Sequence, residues 1–271
     1  MNYDELFDTI SGLVMCHSPS GAEAEINHFL EAHLKSRQLK YWRDAADNLV
    51  IEIPGQDPDR AIAITAHKDE IGGIVKAVLA DGRVWVRPLG GAYPWVYGEG
   101  PVDLLGDQTT ISGILSFGSR HVSHESPQKV QQEGVAVAWE DAWVATLQSA
   151  EALQEAGIRP GTRMVVGKHR KRPLRLGDHI ASYTLDNKAS LALLLALAEE
   201  LHQLPMTVYL VASAKEEVGA IGALYFSQRN HLEALVALEI FPLSTEYPIQ
   251  TETAPVLLAQ DKYGLYDEGL N

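Results

Sequence analysis

The sequence predicts an α/β fold, with a mixed, mostly parallel sheet sandwiched by helices and interrupted by an all-β insert. Apolar residues recur at helical spacing near both ends of the chain, and short β-prone runs alternate with those stretches. Between them, residues 71–170 carry closely spaced β-prone runs punctuated by glycine. These two observations favour a division into residues 1–70 and 171–271, which form the α/β part, and residues 71–170, which form the insert.

The first segment predicts one helix followed by two strands. Residues 20–23 have the spacing of a capping box, and apolar residues at helical intervals follow between residues 26 and 34. Residues 48–53 and 61–66 are short β-prone runs bounded by Asp, Pro and Gly, as in strands of a covered sheet. The second run ends at His67.

The middle segment predicts short strands joined by tight turns. Asp81-Gly82 separates two β-rich runs as in a hairpin, and further Gly-containing turns follow. The segment ends near residues 168–172, a basic cluster. In an acidic chain, so short a basic run favours a solvated loop over a nucleic-acid contact.

The last segment predicts a return to alternating helices and strands. Residues 187–201 are rich in Leu and Ala, residues 206–212 form a β-prone run, and another helix is expected after Gly219. Residues 235–240 and 255–259 are predicted as further buried strands.

Composition limits the function classes. The 22 basic and 36 acidic residues give a net charge of −14 and a pI near 5.1, which argues against nucleic-acid or anionic-membrane binding. Cys16 is the single cysteine, so no intrachain disulfide forms. The first basic residue is Lys35, and the most apolar stretch, residues 189–198, is too short for a bilayer. We therefore expect a cytoplasmic protein.

Several acidic residues and one histidine fall at or near the ends of predicted strands, where ligands of open α/β sheets gather. They are His67, Asp69, Asp186, Glu216, Glu217 and Glu239. Each also has a structural interpretation. Asp186 suits a helix N-cap, and the adjacent glutamates suit a solvent-exposed position or a helix N-terminus. A single histidine at a strand end is usually a surface or core residue whose hydrogen bonds are satisfied. Glu239 fits this interpretation least well, because it lies in an apolar run and a buried carboxylate needs a partner.

Taken together, one imidazole and several carboxylates form the mixed ligand set that suits Zn(II), Co(II) or Mn(II). Other candidates are weaker. Residues 121–125 lack the spacing of a zinc-binding His-Glu-x-x-His helix and are interpreted as a loop, and Cys16 is interpreted as structural. The fingerprints of serine hydrolases, P-loop proteins and Rossmann folds are absent from the sequence.

Five motifs, taken in order, resemble those of the dinuclear metalloaminopeptidases that include the glutamyl, deblocking and tetrahedral aminopeptidases. The motifs are Ser18-Pro19-Ser20-Gly21, Ala66-His67-Lys68-Asp69-Glu70-Ile71-Gly72, Leu185-Asp186-Asn187-Lys188, Glu216-Glu217-Val218-Gly219 and Ala237-Leu238-Glu239. The resemblance implies a zinc-peptidase-like α/β sandwich with a PDZ-like insert. It also implies peptide substrates and homo-oligomers, from dimers to dodecamers.

The resemblance further implies a role for each site residue. His67 and Glu239 would bind one metal, Asp186 would bridge two, and Glu217 would bind the second. Glu216 would be the general base, with Asp69 behind His67. Two divalent ions per subunit, Zn or Co, are expected, and the reaction would be removal of N-terminal residues from peptides by a metal-activated water.

The sequence departs from the family pattern at several positions. Lys68 stands where Met is common, Asn187-Lys188 where Asp-Arg is common, and Glu239 where Asp is frequent. The family also supplies a C-terminal His ligand to the second metal, whereas the last histidine here is His231. We therefore expect a chain that lacks the C-terminal segment, an incomplete second site, or a site completed by another residue or subunit.

Two other functions remain open at this point. The missing His ligand motivates a catalytically silent assembly or binding subunit of the same fold. A metal hydrolase of the glucanase type ranks lower, because glycosidases use two carboxylates that flank the sugar bond.

Overall fold

A computed structural model describes residues 2–119, 134–242, 255–261 and 264–270. Residues 121–125, interpreted from the sequence as a loop, lie outside these residues. The helices are α1 (Tyr3–Met15), α2 (Ala24–Ser36), α3 (Pro94–Tyr97), α4 (Ala150–Glu155), α5 (Lys168–Lys171), α6 (Leu185–Glu200) and α7 (Ile221–Ser227). The strands of the main sheet are β1 (Tyr41–Arg43), β2 (Leu49–Ile53), β3 (Gly55–His67), β12 (Leu204–Ser213) and β13 (Ala234–Ala237).

The main sheet has the strand order β1-β2-β12-β3-β13. β12 pairs parallel with β3, from Thr207 opposite Ala61 to Ser213 opposite His67, and β13 also pairs parallel with β3. The β1–β2 and β2–β12 pairs are antiparallel. The sheet of described strands is therefore mixed, as predicted, but two of its four pairings are antiparallel, so parallel pairs do not predominate. The three parallel strands end at the same edge.

Helices cover both faces of this sheet. On one face, apolar residues of α1, α2 and α6 pack against the strands and form the larger core; they include Leu13, Leu30 and Leu195, all essentially inaccessible. On the other face, Phe226 of α7 packs against Val50 and Val211. The burial of these apolar surfaces is the main force that holds the layers together. The predicted α/β sandwich is thus present.

Between β3 and α6 the chain forms a mainly β unit, which also contains the short helices α3, α4 and α5 and is therefore not the all-β insert that was predicted. Its strands are β4 (Gly72–Val78), β5 (Arg83–Leu89), β6 (Gly100–Leu105), β7 (Thr110–Ser116), β8 (Trp143–Ala145) and β9 (Arg163–Val166), and they close into a barrel in the order β4-β5-β8-β7-β6-β9. Asp81 and Gly82 form the turn between β4 and β5, as expected. A separate hairpin, β10 (Leu174–Leu176) with β11 (His179–Ala181), leads into α6.

Two predictions about the second half of the chain are wrong. Residues 255–259 form no strand and are mostly exposed. β13 is an edge strand of the described sheet, with Leu235 and Val236 exposed, so residues 235–240 are not a buried strand. An apolar run alone does not distinguish a central strand from an edge.

Two local predictions are also wrong. The helix after residue 23 exists, but its N-cap is Glu23 and no side chain caps it, so the capping box is absent. The basic cluster is not a solvated loop, because residues 168–171 form α5 and Lys171 is completely buried. No helix of the described residues has both the length and the apolar character needed to cross a bilayer.

Candidate metal centre

The six predicted site residues lie at the carboxyl end of the parallel strands. His67 ends β3 and Asp69 follows it, Glu216 and Glu217 follow β12, and Glu239 follows β13. Asp186 lies at the start of α6, where its dihedral angles are not helical and its peptide bond to Asn187 is cis. Because parallel strands bring their carboxyl ends to one edge, residues distant in the chain meet there.

His67 lies at the centre of this cluster and is almost fully buried. Its Nδ1–H donates to the backbone carbonyl of Asp69 at 3.1 Å, which turns Nε2 toward the carboxylates. Nε2 lies 3.0 Å from Asp186 Oδ1, 3.5 Å from Glu239 Oε2 and 3.8 Å from Glu216 Oε2. One ring nitrogen is thus oriented by the backbone while the other faces three carboxylates, as in metal-ligating histidines.

Asp69 is completely buried and accepts hydrogen bonds from a hydroxyl and two backbone amides. Ser20 Oγ donates to Oδ2 at 2.5 Å, and the amides of Glu216 and Glu217 donate at 2.9 and 3.2 Å. Its Oδ1 lies 3.5 Å from His67 Nδ1. Asp69 therefore holds the loop after β12 as well as lying behind His67. Ser20, predicted as a helix cap, serves this carboxylate instead.

Burial and the close approach of charged groups shift the pKa values of the site residues. Burial raises the pKa of Glu217 to about 8, and the charges of Asp186 and Asp69 act in the same direction against that of His67. Burial likewise raises the pKa of Glu239 to about 7, with His67 opposing. Burial disfavours the charged form of His67, but hydrogen bonds to Asp186 and Asp69 outweigh it and raise its pKa to about 11. Burial is thus the main cause of the raised glutamate pKa values, whereas the surrounding carboxylates raise the pKa of His67.

The donor atoms form two groups compact enough to hold a divalent cation. His67, Asp186 and Glu239 form one group, and His67, Glu216 and Glu217 form the other, each with its ligand atoms within 4.8 Å of one another. Imidazole nitrogen combined with carboxylate oxygen suits Zn(II), Co(II) or Mn(II). The residues present therefore fit a divalent metal.

One loop of the barrel reaches the site. Gly90, at a φ of +86°, follows β5, and a Cβ added there would lie 3.4 Å from Glu217 Oε2 and 2.9 Å from Ile71 Cγ2. A side chain at this position would meet both strain and contact, so glycine permits the close approach. The barrel thus borders the carboxylate cluster.

Sequence reasoning missed the buried partners of the cluster. Asn187 Nδ2 donates to the Leu238 carbonyl at 2.7 Å, which joins the segments that carry Asp186 and Glu239. Glu23 and Glu70 are buried carboxylates bound to buried lysines. The one available signal was Lys68, because a charged residue where Met is common needs a partner.

An α/β sandwich with a mixed imidazole and carboxylate cluster at its strand ends, bordered by an inserted barrel, is the arrangement of a metallopeptidase. The chain belongs to the M42 glutamyl aminopeptidase family, whose model matches residues 47–271. The family resemblance seen in the sequence is thus confirmed.

Individual relatives agree with this assignment. The chain is 29% identical to a putative aminopeptidase, YhfE, of Bacillus subtilis, over 78% of this chain and 62% of that protein. It is 26% identical to the lysyl aminopeptidase of Pyrococcus furiosus, over 73% of this chain and 55% of that protein. The chain therefore spans about three fifths of the length of these curated relatives.

Among solved structures, the Pyrococcus horikoshii TET1 peptidase superposes with a TM-score of 0.86 at 21% identity, covering 98% of this chain and 78% of that one. It is described as able to assemble into a tetrahedron or a large octahedral shell. At this identity the likeness establishes the shared fold.

Proposed function

We propose that the protein is a metal-dependent aminopeptidase that removes N-terminal residues from peptides. The observation that carries this proposal is the cluster that His67 forms with carboxylates at the carboxyl ends of β3, β12 and β13; these are Asp186, Glu216, Glu217 and Glu239. Membership of the M42 family and the similarity to a lysyl aminopeptidase support it.

In this proposal, His67 and Glu239 would hold one divalent ion, Glu217 would hold a second, and Asp186 would contribute to both. Zn or Co is the expected metal, because both suit this ligand set. When bound, two such ions lower the pKa of a shared water and polarise the scissile carbonyl. His67 is fixed for this role by its bond to the Asp69 carbonyl.

Glu216 is the proposed general base. Its side chain is 31% exposed, and Oε2 lies 3.8 Å from His67 Nε2, so the carboxylate faces the cluster while substrate can reach it. Its backbone is held in place by the hydrogen bond that its amide donates to Asp69 Oδ1. It would take a proton from the attacking water and return it to the leaving amine.

We extend the proposal to the organisation of the molecule. The division into residues 1–70, 71–170 and 171–271 follows the two separate apolar cores, one in the sandwich and one in the barrel. In this proposal, the barrel corresponds to the PDZ-like insert. Homo-oligomers are proposed because the TET1 relative assembles into shells.

Glu216→Gln tests the proposed base. The variant should lose at least about 100-fold in turnover of aminoacyl chromogenic substrates with Zn(II) or Co(II) present, because the amide cannot accept the proton. Metal binding, measured by calorimetry, should remain. Glu140→Gln, at an exposed position of the barrel, is the matched control and should keep parental turnover.

Two results would contradict the proposal. Equal turnover by Glu216→Gln and the parent would remove Glu216 from the reaction. Absence of turnover from a folded, metal-loaded parent across the whole panel would favour the silent assembly subunit.

A further inference from the structure

A buried ion pair lies next to the cluster in the chain, at Lys68, the residue after His67. Lys68 is completely inaccessible, and its Nζ lies 2.9 Å from Glu23 Oε2. Nζ also donates to Asn27 Oδ1 at 2.6 Å and to Asp47 Oδ2 at 3.2 Å. A buried ammonium needs such complete pairing, since an unpaired charge in the interior is costly.

The other oxygen of Glu23 binds the loop that carries the proposed base. Glu23 Oε1 accepts from the amide of Lys215 at 3.2 Å and from the amide of Gly21 at 3.1 Å. Lys215 has a φ of +57°, in the left-handed region that a non-glycine residue occupies only when its surroundings enforce it. Its Nζ donates to the Ala46 carbonyl at 3.0 Å, a second restraint on the same residue.

Two buried carboxylates together bind three successive amides of this loop. Glu23 accepts from residue 215, and Asp69 accepts from residues 216 and 217. Three consecutive N–H groups that converge on acceptors make a concave backbone segment whose shape follows the positions of those acceptors. Loss of one acceptor releases one end of that segment.

We propose that Glu23 is a positioning residue whose carboxylate, neutralised by buried Lys68, holds the Lys215 amide and thereby fixes the directions of Glu216 and Glu217. Lys68 supplies the counter-charge that lets a carboxylate lie in the interior. This inference rests on the proposed function for the roles of Glu216 and Glu217. It explains why a lysine occupies position 68, between two site residues.

A pair of double variants isolates the acceptor. Glu23→Gln/Lys68→Met and Glu23→Met/Lys68→Met both remove the ion pair and have similar side-chain volumes, but only glutamine can accept from the Lys215 amide. We expect the Gln/Met variant to keep turnover and metal affinity within about threefold of the parent. The Met/Met variant should lose at least about tenfold in kcat, with KM changed less than about threefold, and about tenfold in affinity for the more weakly bound metal.

Metal affinity is measured by titration of Co(II) or Zn(II) into the metal-free variants, and folding by thermal denaturation. A purely structural role would lower the melting temperature without separating the two variants in metal affinity. Equal metal affinity of the two folded double variants would therefore overturn the inference. If the parent binds metal but cleaves no peptide, the titration still decides the positioning role, so failure of the proposed function is distinguishable.

A single variant covers the case in which Met/Met does not fold. Glu23→Gln keeps the acceptor, and Lys68 keeps Asp47 and Asn27 as partners. It should retain weak-site metal affinity within about threefold of the parent. A loss of more than about tenfold in this folded variant would overturn the inference, because the amide acceptor would still be present.

Discussion

Cys16 lies just after α1 with its thiol turned into the protein interior. Its Sγ donates to the Gly12 carbonyl at 3.4 Å, and the residue is buried. Burial raises the pKa of the thiol to about 11, and the charge of Glu25 acts in the same direction. Because the thiolate is the reactive form, this cysteine is structural, as its sequence context predicts.

The chemical consequence is testable with a thiol reagent. Native protein at pH 8 should react with Ellman's reagent at least about 100-fold more slowly than protein in guanidinium, because both access and ionisation are suppressed. A Cys16→Ser/Ser36→Cys variant moves the thiol to an exposed site and should react rapidly without denaturant. Rapid labelling of the native parent would show that the segment after α1 opens readily.

The candidate site illustrates which residues a sequence can reveal. His67, Asp186 and Glu239 were predicted as a cluster because each follows or precedes a recognisable element, and the structure brings them together. Glu23 was interpreted as part of a helix cap, since nothing local indicates that it reaches Lys215, 192 residues away. Side chains that act through long-range contacts have no signature in the adjacent sequence.

At the scale of elements, β3 and β12 were predicted well because central strands carry continuous apolar runs. β13 resembles them in sequence, yet it lies at the edge of the described sheet. Whether a run is covered depends on which elements pack on it. Residues 255–259 show the same limit, because their apolar side chains remain exposed.

The junction between β12 and α7 is packed unusually closely. The Gly222 amide donates to the Ala214 carbonyl at 2.9 Å, and Asn48 binds both the Gly222 carbonyl and the Ala214 amide at 2.9 Å. A Cβ added to Gly222 would lie 2.2 Å from Asn48 Oδ1 and 2.4 Å from the Ala214 oxygen. These bonds close the loop that carries Glu216 and Glu217.

Gly222→Ala should therefore destabilise the protein by about 1–3 kcal/mol, as overpacking typically does. Chemical denaturation followed by circular dichroism measures this change. Gly264→Ala is the control, because an added Cβ there meets no atom within 4 Å. A Gly222→Ala variant as stable as the parent would mean that the loop relaxes freely around the new methyl group.

At the scale of the whole molecule, a buried polar chain connects the sandwich with the barrel. Glu70, next to Asp69, accepts from Lys171 Nζ at 2.6 and 2.7 Å, and Lys188 lies 3.6 Å away. Lys171 also donates to His17 Nδ1 at 3.2 Å, and His17 Nε2 donates to Asp103 of β6 at 3.0 Å. Buried charged and polar groups of the sandwich and of the barrel thus serve as hydrogen-bond partners for one another.

Lys171→Met should cost about 3–5 kcal/mol in the free energy of unfolding, because it removes the nearest cation of a buried carboxylate. Glu70 would keep only the Ser18 amide and Lys188, at 3.6 Å, as partners. Urea denaturation measures the loss. Lys35→Met is the matched control. Its ion pair with Glu31 spans 3.7 Å at an exposed site, so no measurable change is expected. Equal effects of the two substitutions would show that the buried ion pair of Lys171 contributes no more to the free energy of unfolding than an exposed one.

The candidate metal centre joins segments that are far apart in the chain. His67 and Asp186 are separated by 119 residues, and Asp69 and Glu216 by 147. Since the ribosome makes the chain from its N-terminus, His67 must wait for almost all later segments before its partners exist. In the proposed function, metal uptake therefore follows folding during biosynthesis, because nascent or partly unfolded chains lack the assembled cluster.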